Sequence, residues 1–197
     1  MAGLPAQALL GVGYSVALLR LGGFTAEQLT ACGCGALELY EGGFSVQHLR
    51  AVGFGAQQLR DEAHVTVQAL RVAGRFTPLE LFNVGLSAAE LRDGGYSLKQ
   101  LKDQVGLGVE QLRDAGFSAN DLEEVGFTAK QLLQSGFSHE VITRQCGFAN
   151  EELRLAGFTA KDLRSHLGVS AKELKAGGFS MLDIKAAGFS AWQLKGI

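Results

Sequence analysis

Residues 116–132 read GFSANDLEEVGFTAKQL, in which one ten-residue pattern occurs twice. Each copy contains a glycine, an aromatic residue, a hydroxyl residue and, four positions after the hydroxyl, a leucine. The pattern recurs in 19 units along the chain, and the leucine or isoleucine of each unit is here called its anchor. The anchors are Leu9, Leu19, Leu29, Leu39, Leu49, Leu59, Leu70, Leu81, Leu91, Leu101, Leu112, Leu122, Leu132, Ile142, Leu153, Leu163, Leu174, Ile184 and Leu194. Self-similarity at a nearly fixed period indicates a repeat architecture.

Each position of the repeat has a role in a short helix. Ser or Thr stands four residues before the anchor in 14 of the 19 units and is a typical helix N-cap, and Glu, Gln or Asp three residues later completes a capping box. Gly stands six residues before the anchor in 17 units, where a left-handed residue ends the preceding helix. The apolar residue between Gly and the cap packs on the anchors before and after it.

Helices of about two turns cannot persist alone in water, so they must be stabilised by packing on neighbouring helices. The sequence therefore predicts an all-α fold, a single-helix-repeat α-solenoid or superhelix of about 19 two-turn helices, with residues 1–197 forming one continuous array. Strands are disfavoured because the capping chemistry recurs too regularly. Long helices are disfavoured because a glycine would interrupt them in nearly every unit.

The array resembles the tandem Gly-Phe-Ser-Ala-x-x-Leu repeats found in large, mostly uncharacterised repeat proteins of microbial eukaryotes. The resemblance extends over all the units. It implies a repeat architecture and brings no activity with it.

The composition narrows the class of function. Lys and Arg number 18 and Asp and Glu 20, so the net charge of -2 favours neither a nucleic acid nor an anionic membrane as partner. Catalytic, cofactor-binding and metal-binding residues are not expected, because no nucleophile with its base, no phosphate-binding loop and no zinc-type spacing occurs. Cys32, Cys34 and Cys146 occupy small or apolar positions of the repeat. We therefore expect a protein that is not an enzyme.

Three cysteines without a disulfide-type framework predict a reducing, cytoplasmic location. Residues 1–19 carry no charged side chain, which leaves a signal peptide or membrane span as an alternative. That alternative is disfavoured because no basic segment precedes the apolar run and because Pro5, Gly11 and Gly13 interrupt it.

The repeat is least regular between residues 61 and 76. Two eleven-residue units occur in succession there, His64 replaces the expected glycine, and Arg75 is inserted between Gly74 and Phe76. One extra helical residue rotates the next unit by about 100° relative to the regular array. The segment therefore predicts either a local change of superhelical pitch or a hinge and docking notch.

A basic residue stands directly after the anchor in 12 units, and these residues form what we call the basic stripe. Cations at helix C-termini complement the helix dipole, whereas a ladder of cations can also track a polyanion backbone, and both interpretations stay open. Acids on the residue before the anchor favour local neutralisation. The stripe consists of Arg20, Arg50, Arg60, Arg71, Arg92, Lys102, Arg113, Arg154, Arg164, Lys175, Lys185 and Lys195.

Apolar residues replace polar ones at several surface positions of the repeat, most of them near the two ends of the chain. These candidate partner contacts are Leu10, Leu18, Leu21, Tyr40, Phe82, Leu133, Leu182 and Trp192. Either the terminal helices fold back on the core, or the chain is a segment of a longer array or stacks on a further copy or partner. The leading hypothesis is a non-enzymatic structural or scaffold protein that contacts other proteins or itself, and the alternative is a nucleic-acid-binding or other polyanion-binding array without membrane contact.

Overall fold

A computed structural model describes residues 4–195 and 197, and in this part of the chain it contains helices and turns but no strand. The predicted all-α fold of short repeated helices is confirmed. Residues 1–3 and 196 of the predicted array lie outside the described residues. None of the helices in the described ranges is long and apolar enough to cross a membrane.

Eighteen α-helices occur in succession in the described chain. Their bounds are α1 Ala6–Gly11, α2 Val16–Leu21, α3 Ala26–Ala31, α4 Ala36–Glu41, α5 Val46–Ala51, α6 Ala56–Asp61, α7 Val67–Val72, α8 Pro78–Asn83, α9 Ala88–Asp93, α10 Leu98–Gln100, α11 Val109–Asp114, α12 Ala119–Glu124, α13 Ala129–Gln134, α14 His139–Gln145, α15 Asn150–Leu155, α16 Ala160–Leu167, α17 Ala171–Ala176 and α18 Met181–Ala186. A π-helical segment, Leu101–Val105, continues α10. The nineteenth unit, residues 191–195, forms hydrogen-bonded turns instead of the expected helix.

Capping boxes begin most of these helices, as the sequence predicts. At α9, the Ser87 hydroxyl accepts a hydrogen bond from the Glu90 backbone N–H at 3.3 Å. The Glu90 carboxylate in turn accepts from the Ser87 backbone N–H at 2.7 Å. Gly35 has no side chain, so α4 keeps only the return bond, from the Gly35 N–H to the Glu38 carboxylate at 2.9 Å. Each box satisfies backbone donors that a two-turn helix leaves without partners.

Schellman turns end the regular units. After α2, the Phe24 N–H donates to the Leu19 carbonyl and the Gly23 N–H to the Arg20 carbonyl, both at 3.0 Å. Gly23 has φ +90°, a left-handed conformation that glycine adopts without a steric cost. The connection between α2 and α3 is thereby reduced to residues 22–25.

The irregular segment 61–76 keeps the same helix ends with one extra residue. His64 and Arg75 take the left-handed place of glycine, with φ 52° and 53°. The Val65 N–H reaches back six residues to the Leu59 carbonyl at 2.9 Å, and the Phe76 N–H reaches Leu70 at 3.1 Å. The additional residue lengthens the turn at the helix end, and the anchor carbonyl still accepts the closing hydrogen bond. A pitch change or hinge at 61–76 stays a prediction.

The chain divides into two compact units, residues 1–106 and 107–197. In the first, helices pack on their immediate neighbours and on the helix two places along, as in α2 with α4 and α7 with α9. In the second, α13 with α15 and α16 with α18 show the same pattern. The anchors fill the resulting core, and those from Leu19 to Ile184 are at most 2% exposed. That one continuous array links all 197 residues stays a prediction.

At two contacts between next-but-one helices, a bulky side chain on one helix packs against a glycine on the other. The first residue of α7 is Val67, and the C-cap of α9, against which it packs, is Gly94. A Cβ atom on Gly94 would lie 2.3 Å from the Val67 Cγ1 atom. Val16 and Gly42 repeat the arrangement between α2 and α4, also with 2.3 Å. In these two pairs, the valine at the start of one helix leaves no room for a side chain at the end of the other.

Replacing Gly94 by alanine is expected to lower the free energy of unfolding by about 1–3 kcal/mol, because overpacking a tight contact forces neighbouring atoms apart. The double variant Val67→Ala, Gly94→Ala should recover most of this loss. Gly22→Ala is the matched control, since Gly22 is also a C-cap with helical φ but no atom of another helix lies within 4 Å of its added Cβ. Urea denaturation measures all three, and equal losses in Gly22→Ala and Gly94→Ala would contradict the size match.

Candidate functional site

Arginines of the basic stripe cap the C-terminal end of the helix two places further along the chain. The Arg20 Nε atom donates to the Gly42 carbonyl at 2.9 Å, and the Arg71 Nε atom donates to Gly94 at 2.8 Å. The same bond joins Arg50 to Gly74, Arg113 to Ser135, Arg154 to Gly177 and Arg164 to Ala187. The acceptor is always the residue before the left-handed one, and its carbonyl carries the partial negative charge of a helix end.

The left-handed glycine and the aromatic residue after it complete this arginine contact. A Cβ on Gly95 would lie 2.8 Å from the Arg71 Nη2 atom, so the absence of a side chain leaves room for the guanidinium group. Arg71 also lies 5.8 Å from the ring centre of Tyr96. Arg164 lies 4.2 Å from the ring centre of Phe189, close enough for a cation–π interaction. The Gly-Phe pair that connects two helices thus also receives a cation from an earlier helix.

One unit carries an acid at the stripe position, and its side chain accepts a hydrogen bond from a helix end instead of donating one. Glu123 stands directly after the anchor of α12, and both oxygens of its carboxylate accept from the Gly147 N–H, at 2.8 and 3.0 Å. Gly147 lies just beyond α14, whose C-cap Cys146 is extended with ψ 154° instead of helical. The helix end therefore presents an N–H to the anion where the other ends present a carbonyl to a cation.

The remaining stripe residues differ in their surroundings. Arg60 forms an ion pair with its neighbour Asp61 at 2.7 Å. At Gly85, the left-handed glycine two helices further along, an added Cβ would meet no atom within 4 Å. Arg92 pairs with Asp93 at 2.8 Å. Three lysines at the C-terminal end, Lys175, Lys185 and Lys195, are exposed, and Lys102 is half-buried. Six arginines of the stripe therefore cap helix ends, while the other six members form local ion pairs or are exposed or half-buried.

The acids before the anchors cap their own helices, and one of them also pairs with an arginine of the stripe. Glu90 accepts from the backbone N–H and the hydroxyl of Ser87, and these bonds hold the pKa of Glu90 below its ordinary value. Glu80, directly before the anchor Leu81, pairs with Arg50 of the stripe at 2.7 Å. Acids that come directly after an arginine also form ion pairs, as Asp114 does with Arg113 at 2.8 Å. Carboxylates before and after the anchors therefore both contribute to the local charge balance.

Burial disfavours the ionised form of a tyrosine and a cysteine in this structure. Burial raises the pKa of Tyr96 to about 12, and its hydroxyl donates to the Phe76 carbonyl. Burial, together with the nearby Glu123 carboxylate, raises the pKa of Cys146 to about 11, so the nucleophilic thiolate is disfavoured at neutral pH. Cys34 is buried and Cys32 half-buried, both as free thiols. Among residues 4–195 and 197, no three His, Cys, Asp or Glu side chains converge as metal ligands would.

The predicted partner contacts fall into two groups. Leu10, Phe82 and Leu133 are half-buried, and Tyr40 is at the edge of exposure at 37%. Leu18 and Leu21 on α2 are 55% and 75% exposed, Leu182 on α18 is 76% exposed, and Trp192 in the last turn is 83% exposed. The strongly exposed candidates therefore lie on the second unit and on the last two units.

Sequence reasoning missed further exposed apolar residues beside α1 and α2. Val12 is 73% exposed and Tyr14 is 50% exposed, although Tyr96 at the equivalent position is only 4% exposed. Tyr14 matches the repeat, so its exposure results from the arrangement of helices and leaves no mark in the local sequence. These residues and Leu18 and Leu21 are close in sequence and exposed, and we call them the N-terminal apolar face. We call the exposed Leu182, Lys185, Trp192 and Lys195 the C-terminal face.

Comparison with known proteins identifies the repeat. The family described as Decapeptide repeat region matches residues 3–75, 64–139 and 141–197. No curated protein and no solved structure matches the chain. The three matches cover nearly all of the sequence, and the periodic capping and the buried anchors give them a structural basis. The chain therefore belongs to the Decapeptide repeat family.

Proposed function

We propose that this repeat protein is a non-enzymatic structural scaffold that makes protein–protein contacts, including contacts with further copies of itself. The observation that carries the proposal is the strong exposure of Leu21, Leu182 and Trp192, at 75–83%, in a chain whose anchors are almost fully buried. Isolated exposed leucines are common, but neighbouring exposed apolar side chains mark interaction surfaces. The N-terminal apolar face is such a group, because Val12, Tyr14, Leu18 and Leu21 lie within ten residues.

The proposal predicts selective loss of protein binding when these faces are made polar. We expect the variant Leu18→Ser, Leu21→Ser, Leu182→Ser, Trp192→Ser to retain much less labelled wild-type chain and fewer cross-linked proteins than the immobilised wild type does. Val72→Ser, Leu155→Ser is the matched control, since these residues are 61% and 66% exposed but lie away from both faces in sequence. Retention of the same proteins by all three would contradict the proposal.

Polyanion binding, the alternative function, is less well supported. Six of the 12 stripe residues already donate to helix-end carbonyls, and each of those guanidinium groups would have to leave its capping bond or share it with a phosphate. The charge of the whole chain, -2, provides no long-range attraction. The geometry supports helix capping as the role of the stripe.

A titration with fluorescent single-stranded and double-stranded nucleic acid should accordingly show little binding at physiological ionic strength. Backbone-directed binding falls steeply as salt rises, so the measurement should be repeated from low to high salt. Tight binding with a steep negative salt slope, reduced by Lys175→Glu, Lys185→Glu, would favour the polyanion function instead.

A further inference from the structure

A cavity of about 670 Å³ lies beside α16 and α18, within residues 107–197. Its lining includes residues 157–161, which contain the start of α16, and residues 178–180, which directly precede α18. Phe158 and Phe179 supply apolar groups to the wall, and the exposed Ser180 supplies a hydroxyl group. Pockets that bind ligands have volumes of roughly 300–1,000 Å³. The cavity is therefore large enough to receive a ligand.

Arg154 lines this cavity and uses only one edge of its guanidinium group for helix capping. Its Nε atom donates to the Gly177 carbonyl at 3.0 Å. A Cβ on Gly178 would lie between 3.1 and 3.3 Å from the Nε, Cζ and Nη2 atoms, so the group lies flat against the glycine. Within the described residues, neither terminal nitrogen of Arg154 forms a hydrogen bond or an ion pair. The capping bond thus holds in place a pair of donors of the kind that binds a carboxylate at two points.

The charged side chains of the lining favour an anion. Lys161, the second residue of α16, is exposed and forms no ion pair with another described residue. Asp183 is the acid of the lining, and its carboxylate already accepts from the Ser180 N–H at 3.1 Å and from the Ser180 hydroxyl at 2.6 Å. With Arg154 and Lys161 against Asp183, the lining carries an excess of one positive charge.

Smaller cavities at equivalent positions have a different lining. Between the start of α7 and the end of α9, a cavity of about 310 Å³ is lined by Glu90 and Asp93 and by no cation. Between the start of α11 and the end of α13, a cavity of about 350 Å³ is lined by Glu110 and by glutamines. The gap between next-but-one helices therefore recurs, and the version beside α16 and α18 is larger than these two and carries cations.

We propose that the cavity beside α16 and α18 binds an acidic peptide segment of a partner protein. A carboxylate of the segment accepts hydrogen bonds from the terminal nitrogens of Arg154 and lies near Lys161. A neighbouring apolar side chain of the segment packs against Phe158 and Phe179, which a small inorganic anion would leave in contact with water. The capping bond to Gly177 stays intact, because it uses the other edge of the guanidinium group. The inference rests on the protein–protein contacts of the proposed function and names the chemistry of one partner.

Selection from a phage library of random peptides on the immobilised full chain tests the ligand class. The enriched peptides should share an Asp or Glu next to an apolar residue. One of them, resynthesised with a fluorescent label, gives the affinity by anisotropy, and its counterpart with the acid replaced by the amide should bind at least about tenfold more weakly.

Three variants of the protein locate the binding in this cavity, and each has a matched control. Lys161→Gln removes an exposed cation, and its control Lys130→Gln removes the second residue of α13 in the same way outside the cavity. Ala186→Trp fills the cavity without changing its charge, and its control Ala31→Trp alters the exposed last residue of α3.

The third variant, Arg154→Gln, removes the paired donors together with a capping bond. Its control Arg71→Gln loses the same kind of capping bond, at 2.8 Å, outside the cavity. We expect each cavity variant to bind the peptide at least about tenfold more weakly than the wild type, and each control to bind like the wild type. Circular dichroism verifies that the helices persist, and Lys161→Gln keeps the test decisive if Arg154→Gln does not fold.

The contrary outcomes concern this cavity alone. A selection that enriches no peptide, or peptides without an acidic residue, would overturn the inference. Equal binding by Lys161→Gln and Lys130→Gln, or by Ala186→Trp and Ala31→Trp, would also overturn it. Displacement of the peptide by inorganic phosphate at an equal concentration would show that a small anion suffices and would overturn the peptide as occupant. The capture experiment changes residues outside the cavity, so the proposed function stands or fails separately.

Discussion

Replacing Leu122 by alanine is expected to lower the free energy of unfolding by about 2–5 kcal/mol. Leu122 is the anchor of α12 and is 0% exposed. Its side chain fills the core between neighbouring helices, and a two-turn helix has little stability without such packing. Thermal or urea denaturation monitored by circular dichroism measures the loss.

The damage should also be local, because contacts in this repeat run mainly between near neighbours in sequence. Hydrogen exchange should show the largest loss of amide protection in α12 and in its packing partner α14, with less change in α17. Leu155→Ala is the control, since Leu155 is 66% exposed, and it should change the stability by less than about 0.5 kcal/mol. Equal losses in the two variants, or protection lost uniformly, would contradict the repeat packing.

The fold could be predicted from the sequence because each helix carries its own start and stop signals. The cap of α9 at Ser87, its partner Glu90 and the left-handed Gly95 after it all have the predicted roles. These signals act within about ten residues, so they are visible in one unit. The last unit departs from the prediction because the contacts that stabilise a two-turn helix are non-local, and it forms turns although Ser190 and Gln193 still make a capping box.

The partners of the stripe could not be predicted in the same way. Capping by Arg71 depends on which helix end lies beside α7, and the repeat itself does not specify how many helices make one turn. A weak signal exists in two units, where Val16 packs against Gly42 and Val67 against Gly94 at nearly constant separations. Other units lack it, since α11 begins with Val109 and the end of α13, two helices along, carries Ser135. The exposure of the N-terminal apolar face likewise results from this arrangement.

Replacing Gly136 by alanine is expected to cost about 2–3 kcal/mol, more than the same change at Gly157. Both glycines are left-handed, with φ +90° and +102°, so both variants bear a strain of about 1–2 kcal/mol. The added Cβ at Gly136 would also lie 2.6 Å from the Arg113 Nη1 atom, whereas nothing lies within 4 Å at Gly157. Displacing the partly exposed Arg113 from the Ser135 carbonyl adds about 1 kcal/mol.

A double-mutant cycle with Arg113→Ala isolates this contact. Once the guanidinium group is absent, the extra loss in Gly136→Ala should disappear and its cost should match that of Gly157→Ala. The free energies of unfolding from urea titrations of the single and double variants give the coupling directly. Additive losses would show that arginine and glycine act independently at this helix end.

Packing between next-but-one helices forms two interleaved series of helices in residues 107–197. One series runs through α12, α14, α16 and α18, and the other through α13, α15 and α17. A helix that frays interrupts the series to which it belongs, while the alternate series still joins the helices on either side. This redundancy lets residues 107–197 tolerate the loss of a single capping contact, as at Leu133, which stands where other units carry a capping cation.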